Sequence, residues 1–126
     1  MDYEIEFGSD GVVRIRTSGV ADLDGFRRYL AELIEDPRWR PGTPTLVDHR
    51  ELALEALSSH EVATLSRAIG SLADRLGGGR NATVVSGTLD FGLARMWEIQ
   101  TDDQVASSLR VFLDPDEALA WVLDGD

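Results

Sequence analysis

The chain contains no cysteine and no lysine. Without cysteine it can form no disulfide and offers no thiolate as a nucleophile or metal ligand. Without lysine it lacks both a Schiff-base amine and the phosphate-gripping side chain of a P-loop. All twelve basic residues are arginine, and the histidines are His49 and His60 alone, too few for a three-histidine zinc site. No apolar run approaches the roughly 18 residues of a membrane span. The acidic, alternating start MDYEIEFGSDG is unlike the basic-then-apolar start of a signal peptide. Positive charge is scarce as well. The formal net charge of −11 produces a field that repels nucleic-acid backbones and anionic membrane surfaces. These absences lead us to expect a cytoplasmic protein with no nucleic-acid partner, no bound metal and no cofactor.

What remains is 126 residues with 43% hydrophobic content, the size of one domain with one core. Tyr3 to Phe7 and Val12 to Thr17 alternate as strands, and the GSDG turn between them makes the first antiparallel to the second. Asp22 to Glu35 has helical spacing, with Asp22 as N-cap and Pro37 as stop. Arg38 to Pro44 reads as a loop in which Trp39 is free to cover a pocket or meet a partner. Thr45 to Asp48 reads as a short strand. Ser58 and Glu61 have the capping-box spacing, and they open a helix whose apolar stripe runs from Val62 to Leu76. Gly77 to Gly79 end it. These glycines follow a helix and precede a strand, the reverse of a phosphate-binding glycine loop, so they read as a helix end and connector. Ala82 to Val85 is a strand, Thr88 to Gln100 a helix and Leu109 to Leu113 a strand. Asp114-Pro115-Asp116-Glu117 starts a short last helix that Ala118 to Leu123 complete. The order β-β-α-β-α-β-α-β-α predicts five strands and four helices, with a mostly parallel sheet.

The texts TLVDHREL, then S-x-x-E opening a helix, then ATVVSGTLDFGLARMWE and LRVFLDPDEALAWVL resemble the SpoIIAA-like proteins. These are bacterial relatives of STAS domains and of lipid-binding SEC14-type domains. The resemblance spans nearly the whole chain and is most specific in Phe91 to Glu98 and Val111 to Val122. It implies a STAS-like α/β fold and little about activity. In regulatory STAS domains a serine at the start of the second helix is phosphorylated within a D-S-S-G-L pattern. Here the text is LSSHE, so Ser58 and Ser59 match while Leu57 and His60 depart from the pattern. Capping is the simpler reading of Ser58.

Ligands of open α/β sheets usually sit at the carboxyl ends of the strands. That edge is expected to carry Asp48, His49 and Arg50, then Ser86 and Thr88, then Asp114. Each nearby helix brings its own acid, which leaves little attraction for phosphate. Neighbours along a strand face opposite ways, so Asp48 is not expected to orient His49 as a general base. On a helical wheel Leu89, Leu93, Met96, Trp97 and Gln100 form a core stripe in the third helix. Phe91 and Arg95 fall on the far side, where packing does not account for them. The expected function is a small binding or interaction module without catalysis. Its contact surface is placed at Asp48, His49, Arg50, Thr88, Phe91 and Arg95, with a homodimer or protein partner as the occupant. The alternatives are a carrier of a small apolar or lipid-like ligand, implied by the SEC14 side of the resemblance, and a hydrolase using His49.

Overall fold

The computed structural model of the chain describes residues 1–87 and 109–124. Strands β1 (Asp2–Phe7) and β2 (Val13–Val20) form an antiparallel hairpin. Helix α1 (Leu23–Glu35) follows, and the Asp22 carboxylate accepts from the Gly25 N–H at 2.6 Å to cap it. Strand β3 (Thr45–Ala53) leads through a 3-10 turn at Leu54–Ala56 into α2 (Ser59–Ser71) and a single-turn helix α3 (Ala73–Leu76). Strands β4 (Asn81–Val84) and β5 (Leu109–Phe112) and helix α4 (Pro115–Leu123) complete the described residues. The expected third helix, Thr88 to Gln100, lies outside them.

The strands lie in the order β1-β2-β3-β4-β5, and every pair after the first is parallel. Each crossover steps to the next strand in the same direction. Right-handed connections then bring α1 and α2–α3 to one face of the sheet, and one apolar cluster indeed joins them there. Val13, Ile15 and Val47 from the sheet pack with Phe26, Tyr29, Leu30 and Leu33 of α1 and Leu65 of α2. On the opposite face Ala118 and Val122 of α4 pack on Val12, Ala82 and Val84.

Three expectations change. β2 and β3 run past Thr17 and Asp48 because Ser18 to Val20 pair with Glu51 to Ala53. The charged text DHRE looked like a strand end, but Asp48 and Arg50 project from the face opposite His49, half-buried and exposed respectively. Second, the long helix breaks at Leu72, where the Ser71 hydroxyl donates to the Ala68 carbonyl at 2.7 Å and competes with the helical ladder. The apolar stripe survives the break, since Ile69, Leu72 and Leu76 all pack against the same cluster. Third, Trp39 is buried, and its indole N–H donates to the Arg75 carbonyl at 2.9 Å.

The glycine run does more than end a helix. Gly77 closes α3 with φ of +78°. A Cβ there would sit 2.2 Å from the Gly42 nitrogen, and one at Gly79 would sit 2.3 Å from the Gly42 carbonyl oxygen. The absent side chains let the Pro41–Thr43 backbone lie directly on the connector, with the Gly42 N–H bonded to the Leu76 carbonyl at 2.9 Å.

Candidate functional site

β2 and β3 slip by one residue beside Thr17. Arg16 pairs with Asp48, but Ser18 pairs with Glu51, so His49 and Arg50 together oppose Thr17. This is a bulge, a device that re-aims side chains. Thr17, in step with Val13 and Ile15, and His49, in step with Thr45 and Val47, face the interior, each 1% exposed. The Thr17 hydroxyl donates to the Asp48 carbonyl at 3.2 Å and lies 2.6 Å from His49 Nδ1. The imidazole edge meets the Phe26 ring, centroids 5.6 Å apart. The other ring nitrogen, Nε2, is buried and has no hydrogen-bond partner among the described residues.

His49 also lines a cavity of about 80 Å³ between the sheet and the helices. Its floor is Ile15, Val47, Thr45, Asn81, Thr83 and Leu109. Its walls are Tyr29, Leu30 and Leu33 of α1, with Ile69 and Leu76. The Trp39–Thr43 loop and Gly79 close one end. No charged side chain is among these lining residues. Three polar side chains on the floor are linked: Thr83 Oγ1 donates to Asn81 Oδ1 at 2.9 Å, and Asn81 Nδ2 donates to Thr45 Oγ1 at 2.7 Å. The Asn81-Ala82-Thr83 spacing, which matches a glycosylation sequon, thus serves as a hydrogen-bonded pair along one strand face.

Burial drives the His49 pKa down to about 4, with the Asp48 carboxylate pulling more weakly upward. The ring is neutral near pH 7. In the unfolded chain it titrates near its usual ~6.5. From there down to about 4 the unfolded state holds a proton that the folded state refuses. Stability therefore falls as pH drops through this window, and His49 exerts no such effect above it. By pH 5 the loss should reach about 2 kcal/mol. Urea denaturation of wild type and His49→Gln at pH 7 and pH 5 checks this. The wild type should lose about 2 kcal/mol more than the variant, and equal losses would rule out a buried neutral ring.

Of the expected contact residues, Asp48 and Arg50 stand on one face of β3 and His49 on the other. Asp48 and Arg50 form an ion pair, Nη2 to Oδ2 at 2.8 Å, on the face away from the cavity. Asp48 also accepts from the Arg50 backbone N–H and Nε, each at 3.0 Å, and the guanidinium lowers the Asp48 pKa. His49 is interior, so it meets no partner at the surface. Thr88, Phe91 and Arg95 lie outside the described residues. Ser58 and Ser59 are exposed, and Ser58 is engaged in a complete capping box with Glu61, at 3.0 and 3.1 Å. The Asp114 carboxylate accepts from the Asp116 N–H at 2.8 Å to cap α4. Among the described residues His49 meets no carboxylate. Its described hydrogen-bonding partner is Thr17, which is itself sealed and does not line the cavity. The cavity lies toward the amino ends of the parallel strands, where Thr45, Asn81 and Leu109 begin β3, β4 and β5. The general rule pointed to the opposite edge. A sequence signal that could have found it is the alternation of polar Thr45, Asn81 and Thr83 with apolar Leu46, Ala82 and Val84.

No family model and no curated protein matches the chain. Among solved structures it is similar to an uncharacterised protein of the DUF3478 family, with a SpoIIAA-like fold, from Shewanella loihica. The two share 21% identity over 96% of this chain and 92% of the other, with a TM-score of 0.62. Among the described residues no helix is long and apolar enough to cross a membrane. The five-stranded mixed sheet, with an antiparallel first strand and helices on both faces, is the SpoIIAA-like α/β fold that the sequence resemblance implies.

Proposed function

We propose that this SpoIIAA-like domain is a binding module that takes a small, uncharged, mostly apolar molecule into the cavity between α1–α3 and the sheet. The observation that carries the reading is the uncharged lining around the sealed imidazole of His49. Transferring a charged ligand there would leave its charge without a counter-ion, which is costly in a low-dielectric interior. An apolar body loses nothing and gains contacts. The size argues for a ring-sized guest. About 80 Å³ holds more than one water, yet it falls short of the roughly 300–1,000 Å³ of drug-sized pockets. That narrows the lipid-carrier alternative to compact molecules. A docking surface has less support. Val20, Leu113 and Leu123 are exposed, on β2, after β5 and on α4, and apolar residues scattered singly are ordinary on any surface.

The test is thermal unfolding with compact aromatic and aliphatic compounds, each paired with a charged analogue. An uncharged guest at ten times its Kd stabilises by about 1.4 kcal/mol, or about 4–6 °C for a chain of this length. The charged analogue should give no shift. Absence of a shift with every uncharged compound sinks the reading.

A further inference from the structure

We infer that Thr17 fixes the His49 ring so that Nε2 is a hydrogen-bond acceptor for the ligand, and that the cavity thereby selects an uncharged, ring-sized molecule bearing an O–H or N–H donor. This rests on the cavity reading above and adds the polarity of the group recognised.

Thr17 Oγ1 carries one proton, and it is donated to the Asp48 carbonyl at 3.2 Å, an oxygen that cannot donate in return. The short contact of 2.6 Å between Thr17 Oγ1 and His49 Nδ1 then needs its proton from the ring. Nδ1 is therefore the N–H of the imidazole. A neutral ring has one such proton, so Nε2 holds a lone pair. A second ring proton would make an imidazolium among lining residues that include no carboxylate. That lone pair is buried and unmatched, in a class of groups that folded proteins nearly always satisfy. His49 belongs to the cavity wall, so a guest is the natural source of the missing donor. A guest that offers only acceptors, such as a carboxylate, would face the lone pair with no donor between them.

Strand alternation makes this arrangement: Thr17 follows Val13 and Ile15, and His49 follows Thr45 and Val47, on one buried face. The Thr17 hydroxyl stands between a backbone carbonyl and the ring, and so sets the tautomer.

Phenol and toluene are matched probes, one carrying a donor where the other carries a methyl. Ligand titrations followed by NMR should show phenol preferred over toluene about tenfold more strongly by wild type than by His49→Leu. Independently, 15N spectra of the free wild type should show a pyrrole-type Nδ1 and a pyridine-type Nε2 for His49. Phenol should move that Nε2 signal and leave the exposed His60 ring unmoved. With only two histidines the assignment is direct. A protonated Nε2 in the free protein, or the same phenol preference in wild type and His49→Leu, overturns the inference and leaves the cavity reading intact. If neither probe binds wild type, the cavity reading fails and the inference falls with it. Should His49→Leu not fold, the ring spectra of the wild type decide alone.

Discussion

Replacing Trp39 with alanine should destabilise the protein by about 3–5 kcal/mol, the range for truncating a buried aromatic to alanine. Trp39 lies between α1 and β3, outside any regular element, yet only 8% of it is exposed. Its ring belongs to the main cluster with Leu30 and Leu33, and its N–H satisfies the Arg75 carbonyl in the last turn of α3. It also forms part of the cavity wall, so its loss would open the cavity to water as well as remove contacts. Trp39→Phe keeps most of the ring and loses the hydrogen bond, so it should cost about 1 kcal/mol. Urea denaturation of both variants separates the two contributions. An alanine variant within about 1 kcal/mol of wild type would mean that the loop does not pack as described.

The second large effect is expected at Gly77. Alanine there faces two penalties. The backbone sits at φ +78°, where a Cβ is disfavoured, and that Cβ would fall 2.2 Å from the Gly42 nitrogen. Strain and overpacking together should cost about 3 kcal/mol. Gly42 supplies the control. Its φ is +87°, but a Cβ there meets nothing within 4 Å, so Gly42→Ala should cost only about 1 kcal/mol. The difference between the two Tm shifts measures how firmly the Pro41–Thr43 segment is held against the connector. Equal shifts would show that the close approach carries no energy.

The residues differ in how much they disclosed in advance. Asp22, Ser58 and Asp114 were legible as caps because capping is local: a short polar side chain meets an N–H two or three residues away. Tyr3, Ile5 and Phe7, and the stripe from Phe26 to Leu33, were legible because periodicity reports which face is buried. Trp39 misled, since a tryptophan amid arginine, proline and glycine looks like an exposed loop residue. It packs into the main cluster, and the carbonyl that receives its N–H belongs to Arg75, 36 residues on. The text DHRE misled for a related reason. Its charges signal solvent, and solvent does reach Asp48 and Arg50, but on one face of a strand that continues.

The sequence by itself determined the element order, the caps, the apolar faces and the chemistries excluded by absent cysteine and lysine. These depend on residue type and on neighbours within a few positions. Only the tertiary structure decided that Thr17 and His49 meet, that Asn81 joins Thr45 to Thr83, and that a cavity opens at the amino ends of the strands. Each depends on strand order and on which residues stand side by side across the ladder. Register is settled by the competition among all the packed faces at once, and no local pattern in the chain records its outcome.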